Sequence, residues 1–161
     1  MINNIHIREI NAPLPIIGAI INSLASEKDL LWPYEKWLPM ILDRPLGVGA
    51  TGGHGAIKYF VESYEPGQYV RFRFTDPKGF IGTHCFSLKE INSHTVQIKH
   101  EINIRLEGSA KFLWPLIIRW LHDALMEDAF DKAESFITSR PINRTWSLWV
   151  RVLRYMLGRN K

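Results

Sequence analysis

The sequence predicts an α+β domain in which a curved antiparallel sheet wraps against one long C-terminal helix, and three observations carry that reading. Apolar residues alternate with polar ones through four consecutive stretches between residues 57 and 106, and their connections are too short for anything but antiparallel neighbours. Over residues 115–137, Ile118, Leu125, Ala129, Ala133 and Phe136 recur at helical spacing while Asp123, Glu127, Asp131 and Glu134 hold the opposite face. At about 1.5 Å per residue such a helix spans roughly 35 Å, so it roofs a whole sheet and leaves space beneath. With 161 residues, 46% hydrophobic and 22% charged, the chain is one domain with enough apolar surface for a real core.

Each element follows in order. Ile5, Ile7 and Glu9 alternate with His6 and Arg8 as a first strand, closed by Asn11-Ala12-Pro13. Pro15 opens a short helix with Ile16, Ile17, Ile20, Ile21 and Leu24 on its apolar face, and Ser26 to Asp29 caps a second one ending near Trp37-Leu38-Pro39. Residues 47–55 hold five of the eleven glycines and read as a short strand with bulges or a close backbone approach. No Gly-Lys-Ser/Thr follows, so this is not a phosphate loop. Strands are expected over 57–64, 68–75, 81–90 and 95–106, with turns at Glu65-Pro66-Gly67, Asp76-Pro77-Lys78-Gly79 and Asn92-Ser93.

Period two assigns the sheet faces. Val70, Phe72 and Phe74 point in and Tyr69, Arg71 and Arg73 out, and Tyr59 is inward with Ile57 and Val61. His84, Phe86 and Leu88 share one phase, and Val96, Ile98, His100, Ile102, Ile104 and Leu106 another, so two histidines fall on apolar faces. His122, four residues after Ile118 and three before Leu125, joins them from the helix. Arg71, Arg73, Lys99 and Arg105, with Glu101, read as a solvated outer face.

Residues 1–138 form the domain, with net charge −2, and 139–161 form a tail with six Lys/Arg and no acid. Basicity confined to a tail argues against a nucleic-acid surface on the folded body. Ser139-Arg140-Pro141 is the hinge, and Thr145 is the expected cap of a helix over 142–158. Trp146, Trp149, Val150, Leu153, Met156 and Leu157 form its stripe, Arg151 and Arg154 lie on the other side, and Arg159 and Lys161 end it. Such a face needs a cover: the domain itself, a second copy in a homodimer, or an anionic bilayer. The longest apolar run, 112–118, is too short to span a bilayer, and Met1 to Ile10 does not read as a secretory signal. A lone Cys85 excludes an internal disulfide. A cytoplasmic protein is expected, peripheral at the inner membrane surface if the bilayer is the cover.

The order strand, short helices, antiparallel strands and long helix resembles the START-like, helix-grip proteins, the SRPBCC group that includes polyketide cyclase-like and birch-pollen-allergen-like members. The resemblance covers roughly residues 3–138. It also rests on Gly52-Gly53-His54-Gly55, Tyr64-Glu65-Pro66-Gly67, Phe72-Arg73-Phe74, Gly82-Thr83-His84 and Leu121-His122-Asp123-Ala124, strings similar to those of a bacterial branch. It implies a cavity between sheet and helix, used in that group for lipids, sterols, polyketides and other apolar ligands. No catalytic string carries over.

Candidate ligand-binding residues are accordingly Tyr59, Phe72, Phe74, His84, Phe86, His100, Ile102, Trp114, Ile118, His122 and Leu125. The histidines either orient a ligand's oxygen atoms, or are satisfied within the core, or ligate a metal, and the absence of an inward carboxylate disfavours the metal. His54 is either a plain turn residue or lies at the cavity mouth. Ser87 and Cys85 are in the outward phase, away from the histidines, which leaves no nucleophile pair and no catalytic assignment. No cofactor is expected. The function read from the sequence is binding or transport of a small hydrophobic or amphipathic molecule; the alternatives are a cyclase- or dehydrase-type enzyme using the histidines as acid and base, and an adaptor that meets a membrane or partner through Trp146, Trp149, Arg151, Leu153, Arg154 and Leu157.

Overall fold

The computed structural model describes residues 1–142 and 144–158, and its architecture is the helix-grip fold. Strands β1 (Ile2–Ile10), β2 (Ile41–Leu42), β3 (Thr51–His54), β4 (Ile57–Glu65), β5 (Tyr69–Asp76), β6 (Phe80–Asn92) and β7 (Thr95–Leu106) form one curved antiparallel sheet in the order β1-β7-β6-β5-β4-β3-β2. Helix α1 (Leu14–Asn22) follows β1, and α2 (Ala110–Leu113), a wide turn over Trp114–Ile118 and α3 (Arg119–Thr138) make the long helical segment. The last element is α4 (Leu148–Met156). Alternation fixes the strands as predicted: in β7 Val96, Ile98, His100, Ile102 and Ile104 are all buried. Gly18 of α1 presses on the β4–β5 turn, where a Cβ would lie 2.7 Å from the Gly67 carbonyl oxygen, and Asn22 Oδ1 accepts from the Gly67 N–H at 2.6 Å.

Several expectations are corrected. The second short helix does not form, because the buried Asp29 carboxylate accepts from the N–H groups of Ala25, Leu31 and Trp32 at 2.8, 2.9 and 2.7 Å and so satisfies a chain of turns instead. The long helical segment begins at Ala110, and Pro115 is interior to it. Proline has no N–H, and the segment passes it by widening, with the Arg119 N–H bonded to Trp114 five residues back.

The acidic face of α3 is not turned to solvent. It packs on edge strand β1, whose polar phase therefore points in while Ile5 and Ile7 are 47% and 51% exposed. Asn4 Nδ2 donates to Asp123 Oδ1 at 3.0 Å, and Arg8 donates to Glu127, Asp131 and Glu134 at 2.8, 3.0 and 2.8 Å. These carboxylates hold the Arg8 guanidinium above its usual range against the opposing effect of burial. Phe136, expected in the apolar stripe, is half exposed.

The tail docks on its own domain, through fewer residues than its stripe predicts. Ser147, not Thr145, caps α4 by accepting from the Val150 N–H at 3.3 Å. Val150 and Leu153 are buried, but Trp149, Met156 and Leu157 are exposed. Arg154, expected on the outer side, is buried between the rings of Trp37 and Trp146 at 4.4 and 4.0 Å, and donates to the Lys36 carbonyl at 2.8 Å. A flat guanidinium stacks on indoles without losing its in-plane donors, which is why a charge is tolerated there. Arg151 is exposed as predicted. Arg159 and Lys161 lie outside the described residues. Among the described residues no helix is long and apolar enough to cross a membrane.

Candidate functional site

The interior holds two apolar clusters and a polar seam where they meet. Tyr59, Phe72, Phe86 and Leu125 belong to the larger cluster, with Met126 and Phe130 from α3. Ile102 and Trp114 belong to the smaller, with Ile118 packed against it, and Phe74 touches both. The seam is His84, His100 and His122, brought together from β6, β7 and α3 with ring centroids 5.4 Å apart for the first pair and 5.0 Å for the second. His84 stacks on Phe72 and Phe74 at 4.8 and 4.9 Å and meets Tyr59 at 4.8 Å. His100 packs on Phe86 at 4.6 Å and His122 approaches Trp114 at 6.2 Å. Every interior candidate named from the sequence thus falls in this region.

Polar satisfaction distinguishes the seam from an ordinary core. His84 Nδ1 and His100 Nε2 are 3.3 Å apart, one donating to the other. The remaining nitrogens, His84 Nε2 and His100 Nδ1, are buried with no hydrogen-bond partner among the described residues, as are both nitrogens of His122 and the Tyr59 hydroxyl. Natural cores leave few such groups, and each costs about 1–3 kcal/mol if nothing pairs with it. Burial, with the nearby histidines adding to it, lowers the pKa of His84 and His100 well below the usual value; burial likewise lowers that of His122 and raises that of Tyr59. A neutral His84–His100 pair has a fixed consequence. Whichever ring supplies the shared proton, the two outer nitrogens are one N–H donor and one bare acceptor.

The sequence reading missed the rim of this seam. His6 of β1 meets His122 edge-on at 5.5 Å, and its Nε2 lies 3.0 Å from Asp123 Oδ1. His122 Nδ1 is 3.8 Å from the same oxygen, an ion-pair distance too long for a hydrogen bond. Burial alone would raise the Asp123 carboxyl, but His122, His6 and Asn4 beside it bring it below the usual range. An inward carboxylate therefore does accompany the histidines, contrary to the sequence reading, because α3 turns its acidic face toward β1. His54 extends the series at the other end, 4.7 Å from Trp32 and 6.0 Å from Tyr59, and so belongs to the ring network.

The outer face of the sheet carries a separate hollow of about 530 Å³ lined by Arg71, Arg73, Cys85, Glu101, Asn103 and Arg105 among others. Its arginines are engaged locally, Arg73 with Glu62, Arg105 with Glu107 and Arg71 over the Tyr69 ring, as a solvated face requires.

No family model matches the chain, and no curated protein matches its sequence. Solved structures match its fold. A solution NMR structure from Thermobifida fusca covers 91% of this chain and 100% of its own at a TM-score of 0.67 and 10% identity. Norcoclaurine synthase from Thalictrum flavum, a point mutant in complex with a transition-state analogue, covers 85% of this chain and 97% of its own at 0.62 and 15%. CalU16 from Micromonospora echinospora covers 97% and 83% at 0.59 and 14%. At these identities the likeness is one of fold.

Proposed function

We propose that the protein binds a small amphipathic molecule between the sheet and the long helical segment, with its apolar body against the aromatic clusters and an oxygen function on the histidine seam. The observation that carries this is the set of five buried polar atoms on Tyr59, His84, His100 and His122 with no hydrogen-bond partner among the described residues. An apolar ligand would leave those atoms unpaired, whereas a hydroxyl pairs with both the donor and the acceptor that the His84–His100 couple always presents, and a carbonyl with the donor. Native mass spectrometry of protein purified from its own host tests the proposal. A retained small molecule carrying oxygen is expected, lost from His84→Phe and His100→Phe; uptake of apolar and amphipathic probes that is the same in wild type and both variants would overturn it.

One observation favours a second reading. The His84–His100 couple at 3.3 Å moves a proton from one outer nitrogen to the other when both rings change tautomer, as an acid/base step of cyclase or dehydrase type requires. Both rings are held neutral by burial, which makes them weak acids for such a step near pH 7 and places binding ahead of catalysis. Incubating the retained molecule with fresh protein separates the two, since only an enzyme changes its mass or its double bonds.

A further inference from the structure

We infer that His6, His122 and Asp123 form a divalent transition-metal site at the edge where β1 meets α3. One ligand atom from each residue lies within 4.8 Å of the others. His6 Nε2 and Asp123 Oδ1 are 3.0 Å apart, and His122 Nδ1 is 3.8 Å from that oxygen. Ligand atoms around a tetrahedral centre with bonds of about 2.0–2.1 Å stand about 3.3 Å apart, so the three atoms need only small shifts to share one ion. His122 supplies the independent indication, since both its nitrogens are buried without a hydrogen bond among the described residues. The surroundings have the form of an outer shell: Glu127 Oε1 is 3.6 Å from the other nitrogen of His6, and Asn4 donates to the Asp123 carboxylate. Two imidazoles and one carboxylate suit zinc, iron(II) or cobalt(II) better than calcium or magnesium, and three protein ligands leave a position open. The site adjoins the seam through His122, whose ring is 5.0 Å from His100.

The test is titration of chelator-treated protein with cobalt(II), followed by its visible absorption, and with zinc(II) by calorimetry. One equivalent is expected, with the visible bands of low-coordinate cobalt. His6→Gln, His122→Gln and Asp123→Asn should each weaken binding by at least tenfold to a hundredfold, and Glu127→Gln by about tenfold, with circular dichroism confirming the fold. Absence of the bands, or binding unchanged in all three ligand variants, overturns the site. Uptake of amphipathic probes by metal-free His6→Gln keeps the ligand-binding proposal separate, because it fails only if that proposal fails.

A different observation points to an anionic bilayer as the partner of a second surface. Phe112, Leu113, Leu116 and Trp120 are 70%, 39%, 60% and 42% exposed, and Leu148, Trp149, Val152, Tyr155 and Met156 of α4 are 74%, 45%, 37%, 73% and 71% exposed. Trp149 Nε1 donates to the Leu116 carbonyl at 3.2 Å, so the two sets are one apolar surface. Lys111, Arg119 and Arg151 are exposed beside them, and neither 108–122 nor 139–158 contains an acid. Aromatic and aliphatic side chains with basic neighbours complement the headgroup boundary of an anionic leaflet, whereas a second copy would bring like charge to like. Co-sedimentation with vesicles of phosphatidylcholine, with and without phosphatidylglycerol, tests this. Binding only to the anionic vesicles is expected, weakened by salt and reduced at least tenfold in a combined Phe112→Ser, Leu148→Ser, Met156→Ser variant. No binding to anionic vesicles, or a concentration-dependent dimer that the same variant abolishes, overturns it.

Discussion

Two aromatic clusters enclose buried polar groups in this molecule, and they differ in how those groups are satisfied. Where the tail docks, the Asp128 carboxylate accepts from Lys36 Nζ, Trp37 Nε1 and Trp146 Nε1 at 2.9, 2.8 and 2.8 Å. In the seam, among the described residues, three histidines and a tyrosine share a single hydrogen bond, and five polar atoms have no hydrogen-bond partner. Both regions are packed against rings, so burial alone does not tell them apart. The first has the pairing of a structural joint, and the second keeps the spare valences on which the proposed ligand would act.

That contrast is broken or sharpened by variants of opposite sign. The largest expected effect is at the joint: Asp128→Ala strands two indole N–H groups and a lysine, and should cost about 3 kcal/mol in urea denaturation while leaving ligand uptake per folded molecule unchanged. Next is pH. The folded pKa values of His84 and His100 lie below the unfolded value near 6.5, so below that pH the unfolded chain binds protons the native one does not, and stability falls as pH drops. The slope should reach about 1.4 kcal/mol per pH unit for each histidine, and the double variant to Phe should flatten it, as urea midpoints at several pH values would show. Each single change to Phe alone should alter stability by less than about 1.5 kcal/mol yet lower ligand affinity at least tenfold by calorimetry. Smallest is Tyr59→Phe, which removes an unpaired hydroxyl and should leave the melting temperature level or slightly raised.

The seam was legible because a period of two or four puts His84, His100 and His122 on faces otherwise apolar. Its rim was not. His6 stands in the polar phase of a strand whose isoleucines compete for the interior, and Asp123 in an acidic stripe that a solvated helix face would show equally well. Only knowing that α3 lies over β1 tells which phase turns in, and that contact joins residues more than a hundred positions apart. Arg154 reads as an outer residue of the tail for a similar reason, since nothing local marks Trp37 as its partner.

The polar contact between β1 and α3 also acts as a vernier. Alternate residues of a strand advance about 6.7 Å, and every fourth residue of a helix about 6 Å, so Asn4, His6 and Arg8 keep step with Asp123, Glu127 and Asp131 over three rungs. A one-residue slip of β1 would bring Ile5 and Ile7 against carboxylates, among them the buried Asp131, and put Arg8 in water. A two-residue slip would keep the strand phase but move each rung one helical turn, parting His6 from Asp123 and His122. The ladder thus selects one sliding position of helix against sheet, and the same position sets the distance between α3 and the histidines beneath it.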